Sequence, residues 1–173
     1  MLQRAEVVFD TASIDSAIDK LAQRLTERLD NASPLVLCVM QGGFMFTAKM
    51  MPYLPLDSEL DYVHASRYGN GTSGNRLEWL AYPSTKLENR TVLILDDILD
   101  EGYTLAAIEQ YCHEQGAKDV ITAVLLQKKH DRLKPAAGCD FVALEVDDRY
   151  VFGYGMDYKG KLRHLTSIYA ISS

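Results

Sequence analysis

The chain has 173 residues, 47% hydrophobic and 24% charged, with a net charge of −6 at pH 7. That length favours one domain with a single sizeable core. The acidic balance disfavours a general nucleic-acid surface, while local basic clusters can still bind small anions.

No apolar run is long enough to span a bilayer. The N-terminus "MLQRAEVVFD" lacks the basic start and apolar block of a secretory signal. Three scattered cysteines, Cys38, Cys112 and Cys139, show neither a disulfide framework nor zinc spacing, so a cytoplasmic protein is expected. His64, His113, His130 and His164 have no metal-ligand spacing either and are expected to be structural or superficial.

In chain order, Ile14, Ile18, Leu21, Leu25 and Leu29 step by three or four, which predicts a helix from Ser13, its N-cap, to Leu29. "PLVLCVM" (34–40) predicts a buried strand, and "QGGFMFTAKMM" a second helix ending before Pro52. "LDYVHAS" (60–66) alternates as a strand does. Residues 67–78, "RYGNGTSGNRLE", read as a long mobile loop because Gly69, Gly71 and Gly74 punctuate polar side chains.

"TVLIL" (91–95) predicts the next strand. Leu105, Ile108 and Cys112 mark a helix over 103–115, with Gly116 as its C-cap. "VITAVLLQ" (120–127) is a further strand, and "FVALEV" and "RYVFGYGMDY" supply one or two more. Helices alternating with unbroken apolar strands indicate a mostly parallel sheet covered on both faces. Ligands of such sheets gather at the C-terminal ends of the strands. Gln41, Asp96 and Lys128 fall there.

The stretch "LILDDILDEGYTL" (93–105) is the most informative. Asp96, Asp97, Asp100 and Glu101 crowd charge that repels itself and needs water. The turn opens a helix whose first amides form an anion site, which Gly102 can curl inward with a positive φ and Thr104 can supplement with a hydroxyl. Carboxylates beside a bound phosphate suit hydroxyl groups, Mg²⁺ or a proton in transit. A ribose 5-phosphate offers both phosphate and hydroxyls. The structural alternative is that Asp96 and Asp97 end a strand and Asp100 caps a helix. The Walker and G-x-G-x-x-G patterns are absent.

Four apolar residues, two acids, two apolar residues and D-x-G-x-T resemble the PRPP-binding signature of the type I phosphoribosyltransferases. "VMQGGFMF" (39–46) is similar to the pyrophosphate loop of the hypoxanthine-guanine phosphoribosyltransferases, and "ASRYGNGTSG" (65–74) to their lid. "LLQKKHDR" (125–132) and "FVALEVDDRYVFGYGMDYKGKLRHL" (141–165) resemble their purine-binding segments. The resemblance runs in order from about residue 35 to the end.

It implies an α/β fold, a mostly parallel twisted sheet flanked by helices. One domain would span 1–173, with a small hood from the N- and C-terminal segments and a lid at about 67–78. Mg²⁺ would be the cofactor, PRPP and a purine base the substrates, and a dimer or tetramer the assembly, with no nucleic-acid or membrane partner.

Residue by residue, the resemblance makes Asp96 and Asp97 ligands of the ribose hydroxyls, directly or through Mg²⁺. Asp100 becomes the general base for N7 of the purine. Asp100, Glu101, Gly102, Tyr103 and Thr104 hold the 5′-phosphate. Gln41, Gly42 and Arg163 hold pyrophosphate, with a non-proline cis peptide at Met40–Gln41. Lys128 donates to O6, Tyr150 stacks on the base, Val151 reads its edge, and Asp157 holds a second metal or its water shell. Arg67 and Tyr68 belong to the lid.

Three positions depart from the family pattern. Gln41 stands where a basic residue is common, Glu101 where Ser or Thr is usual, and Arg67 where Ser precedes Tyr. The implied activity is transfer of the phosphoribosyl group from PRPP to hypoxanthine or guanine, giving IMP or GMP and pyrophosphate. The rivals are a xanthine-preferring transferase and a PRPP-sensing regulator that binds RNA. The net −6 and the purine-type Lys128 and Tyr150 oppose the regulator.

Overall fold

The computed structural model describes residues 5–68, 76–130 and 138–171, with Arg67, Tyr68 and Arg76 described by their backbone alone. In chain order the elements are β1 (Ala5–Phe9), α1 (Thr11–Leu29), β2 (Leu35–Val39) and α2 (Phe44–Met50). There follow a 3₁₀ turn (Met51–Tyr53), β3 (Glu59–Tyr68), β4 (Arg76–Ala81), β5 (Thr91–Leu99) and α3 (Tyr103–Glu114). The chain then forms β6 (Asp119–Lys129), β7 (Phe141–Asp147), β8 (Val151–Phe152) and β9 (Ile168–Ile171).

The main sheet has the order β4-β3-β2-β5-β6-β7. It is parallel except for the antiparallel β3–β4 pair at one edge. Strand alternation explains why both faces are covered. Val36, Leu93, Leu95, Ile121, Ala123 and Leu125 pack with Ile14, Ile18, Leu25, Phe46 and Met50 of α1 and α2. Their neighbours Leu35, Leu37, Val92, Ile94, Val120 and Val124 pack with Leu105, Ile108 and Cys112 of α3. The expected mostly parallel α/β sheet is therefore present. No described helix is long and apolar enough to cross a membrane.

Several boundaries differ from the sequence expectation. Helix α1 begins at Thr11, because Asp10 rather than Ser13 caps it: the Asp10 carboxylate accepts from the Ser13 amide at 2.8 Å. That bond holds the Asp10 carboxyl below its ordinary pKa. Replacing Asp10 with Ala is expected to lower Tm by about 2–4 °C in a thermal melt.

The expected loop over 67–78 is shorter. β3 runs through Tyr68 and β4 starts at Arg76, with Arg67 opposite Leu77 and Tyr68 opposite Arg76. Leu77 and Trp79 pack against the α3-side core, an alternation hidden behind the preceding glycines and polar residues. Residues 69–75, and the side chains of Arg67 and Tyr68 assigned to the lid, lie outside the described residues. At the far end of α3, Gln115 is the C-cap and Gly116 follows it in the left-handed conformation, one residue from expectation.

A second, three-stranded antiparallel sheet, β1-β9-β8, joins the two ends of the chain. Neither β1 nor β9 is legible beforehand. Each is short, and the two pair with one another across nearly the whole chain, as Ala5 does with Ile171. The three cysteines are free thiols. Burial pushes the Cys112 thiol up to about 12, which leaves it unreactive.

Candidate active site

β5 continues through Leu99, so Asp96 and Asp97 lie inside the strand rather than beyond its end. Asp96 pairs in register with Val124. Both residues are 8% exposed, and the Asp97 amide donates to Asp96 Oδ1 at 2.9 Å.

Burial is the main force pushing the Asp96 carboxyl well above the ordinary range, and the adjacent Asp97 charge pushes it further. Burial also raises Asp97, partly offset by hydrogen bonds and by the Arg163 guanidinium. A carboxyl raised in the folded state contributes stability below its unfolded pKa, near 3.8, and loses that contribution as pH climbs through the raised value. Metal-free Asp96→Asn protein is therefore expected to melt higher than wild type at neutral pH, with the gain vanishing in the acid range. Differential scanning calorimetry across pH checks this.

Beyond β5 the chain turns through Asp100 and Glu101 into α3. Gly102 occupies the N-cap with φ 82° and has no side chain to cap the helix. The first-turn amides are the dipole end of α3. A cavity of about 500 Å³ gathers these parts. Its wall includes Met40, Gly42, Asp96, Asp97, every residue from Ile98 to Leu105, Asp157 and Arg163.

The Met40–Gln41 peptide is cis, as the resemblance implies. Gly42 lies against the Asp97 carboxylate: a Cβ on Gly42 would fall 1.9 Å from Asp97 Oδ2. Gly155, with φ 100°, packs on this same turn, and its Cβ would fall 2.0 Å from the Gly42 carbonyl oxygen. Gly155 also fixes Arg163. Arg163 Nη1 donates to the Gly155 carbonyl at 2.7 Å, and Nη2 pairs with Asp157 Oδ1 at 2.9 Å. Asp157 Oδ2 accepts from the Gly160 amide at 2.7 Å. Gly155 is a site residue that sequence reading missed. Its signal is the paired glycines of "GYGMD".

The other expected residues stand apart from that wall. Gln41 is exposed and lines an adjoining cleft with Arg163 and Lys161. Lys128 connects to the cavity through Asp100, with Nζ 3.0 Å from Oδ2, and sits 3.8 Å from Asp148. Tyr150 is exposed, its hydroxyl donating to the Asp157 carbonyl at 3.2 Å, while Val151 is buried in β8. His130 is neither superficial nor remote. Its side chain is 4% exposed and Nε2 lies 3.0 Å from Asp100 Oδ1.

A parallel sheet of this order, with paired acids and a helix N-terminus converging at its strand ends, defines the type I phosphoribosyltransferase fold. The phosphoribosyl transferase domain model matches residues 6–159. The hypoxanthine-guanine phosphoribosyltransferase of Bacillus subtilis (strain 168) is 32% identical over 94% of this chain and 91% of its own. The hypoxanthine phosphoribosyltransferase of Escherichia coli (strain K12) is 32% identical over 97% and 96%. A solved hypoxanthine-guanine-xanthine phosphoribosyltransferase superposes with TM-score 0.86 at 26% identity, covering 97% of each chain. The chain belongs to the hypoxanthine-guanine phosphoribosyltransferase family and is a phosphoribosyltransferase enzyme of purine salvage.

Proposed function

We propose that the enzyme transfers the 5-phosphoribosyl group of PRPP to hypoxanthine or guanine, yielding IMP or GMP and pyrophosphate. The carrying observation is the single cavity that joins Asp96, Asp97, Asp100, the α3 N-terminus and Arg163. Within it the α3 amides and the Thr104 hydroxyl hold the 5′-phosphate. Asp96 and Asp97 face the ribose, where positive charge develops as the bond to pyrophosphate breaks. Arg163 and the amides of Gln41 and Gly42 meet the leaving pyrophosphate.

Hard carboxylate oxygens fit Mg²⁺, which commonly takes one or two carboxylates and completes its shell with water and substrate oxygens. No group of three potential metal ligands occurs among the described residues. Asp96 and Asp97 would hold the ion, and Asp157 would meet its water shell. When bound, Mg²⁺ supplies positive charge to the pyrophosphate.

Asp100 takes the N7 proton of the purine, and Lys128 donates to O6. The three N–H donors of Lys128 allow it to keep Asp100 while reaching the base. Tyr150 stacks on the ring and Val151 reads its edge. Lys128→Ala is expected to raise KM for the purine roughly tenfold or more, the cost of a lost charged hydrogen bond, in steady-state assays. Arg67 and Tyr68 would begin a lid that excludes water from the activated sugar.

The protein acts in the cytoplasm as one domain, with the terminal sheet as hood. It assembles as a dimer or tetramer, for which exposed Phe44, Leu60 and Tyr62 offer an apolar face. A spectrophotometric panel of hypoxanthine, guanine, xanthine and adenine with PRPP and Mg²⁺ tests the reading. Turnover of xanthine alone would replace it with the xanthine-preferring alternative.

A further inference from the structure

Asp100 sits on the turn after β5 with its side chain 38% exposed. A carboxylate so placed samples several rotamers unless it is held. Two side chains from the end of β6 hold this one. Lys128 Nζ lies 3.0 Å from Oδ2, and His130 Nε2 lies 3.0 Å from Oδ1. Lys128 is the penultimate residue of β6 and His130 the first residue beyond it, which brings the two together. Lys128 is a long, flexible chain; the His130 ring is packed, with 4% of its side chain exposed.

The hydrogen on that ring can be assigned from its neighbours. His130 Nε2 faces the Asp100 carboxylate and also the Asp100 carbonyl oxygen at 3.2 Å. Both are acceptors when the carboxylate is ionised, so Nε2 carries the hydrogen and donates. One rigid donor thus fixes both the side chain and the main chain of the turn.

We infer that His130 is a positioning residue for Asp100, holding Oδ1 so that the carboxylate faces the purine in one orientation. The inference rests on the reading of Asp100 as general base. In that step the N7–H bond breaks, the proton bonds to an Asp100 oxygen, and the electron pair stays on the purine. Each carboxylate oxygen has two lone pairs, so one bound donor leaves room for the proton. Misorientation of the base slows proton transfer without loosening the sugar phosphate, so the effect belongs to kcat and not to KM for PRPP.

The test is steady-state kinetics with hypoxanthine, PRPP and Mg²⁺ on wild type, His130→Leu, His130→Gln, Asp100→Asn and the Asp100→Asn/His130→Leu double variant, with circular dichroism melts for each. His130→Leu fills the site without a donor and is expected to lower kcat roughly tenfold, leaving KM for PRPP within about twofold. His130→Gln restores an N–H at similar reach and is expected to recover most of kcat. In the Asp100→Asn background, His130→Leu is expected to add nothing, because both act through one group.

Wild-type kcat in a folded His130→Leu, or equal loss in Leu and Gln variants, overturns the inference. So does a further tenfold loss in the double variant. If His130→Leu does not fold, His130→Gln decides alone: near-wild-type kcat supports the role, and a tenfold loss overturns it. Asp100→Asn turning over like wild type removes the base reading itself, and this inference with it. An impaired Asp100→Asn beside an unimpaired His130→Leu removes only the role of His130.

Discussion

Asp100→Asn is expected to lower kcat by roughly 10²–10⁴-fold, the usual contribution of a positioned general base. PRPP affinity, measured by calorimetric titration with Mg²⁺, is expected to stay near wild type. Asn has the same shape as Asp and can still accept a hydrogen bond, but at neutral pH it cannot take a proton from N7. The prediction is specific because Asp100 differs physically from its two neighbours. Asp96 and Asp97 are 8% exposed and burial raises both carboxyls. The Asp100 side chain is 38% exposed and is met by Lys128 and His130. Unchanged turnover in Asp100→Asn would remove the base assignment and leave the family membership intact.

Gly155→Ala is expected to damage both stability and PRPP use. The added Cβ meets two obstacles, a φ of 100° and the Gly42 carbonyl oxygen at 2.0 Å, which is backbone and cannot swing aside. Together they should cost on the order of 2–4 kcal/mol. Gly42 is itself pressed against Asp97, so displacing it moves the Gln41 and Gly42 amides and disturbs the buried carboxylates. KM for PRPP is expected to rise at least roughly tenfold. Gly160→Ala is the control. Gly160 also has positive φ, at 76°, but nothing lies within 4 Å of its added Cβ. It should show the milder backbone penalty alone, on the order of 1 kcal/mol. Chemical denaturation and PRPP titration of both variants check the contrast. Equal behaviour of the two would mean that the Gly155–Gly42 approach does not matter.

Much of this protein is local and therefore readable. The steps from Ile14 to Leu29 mark a helix because period 3.6 is written into one segment. The apolar runs at 35–39, 91–95 and 120–126 mark central strands because such strands are buried on both sides. "DDILDEGYT" is legible because its chemistry, from paired acids to a helix N-terminus, occupies nine consecutive residues. Boundaries were less legible where competing signals overlapped. Asp10 won the capping position from Ser13, and β4 formed from "RLEWLA" despite the glycines before it.

What the sequence alone determined is the order of α1, β2, α2, β3, β5, α3 and β6, the sheet's parallel character and the acidic loop as the chemical centre. Each follows from periodicity and short-range stereochemistry, which depend on neighbours in the chain. Only the tertiary structure decided which distant groups meet that loop. Asp100 meets Lys128 and His130 across 28 and 30 residues, and Gly155 meets Gly42 across 113. Ala5 and Ile171 close a sheet from opposite ends of the chain. Such contacts exist because packing the sheet brings its strand ends to one edge. No local pattern encodes a distance across that edge, so His130 looks like any surface histidine until the fold sets it beside Asp100.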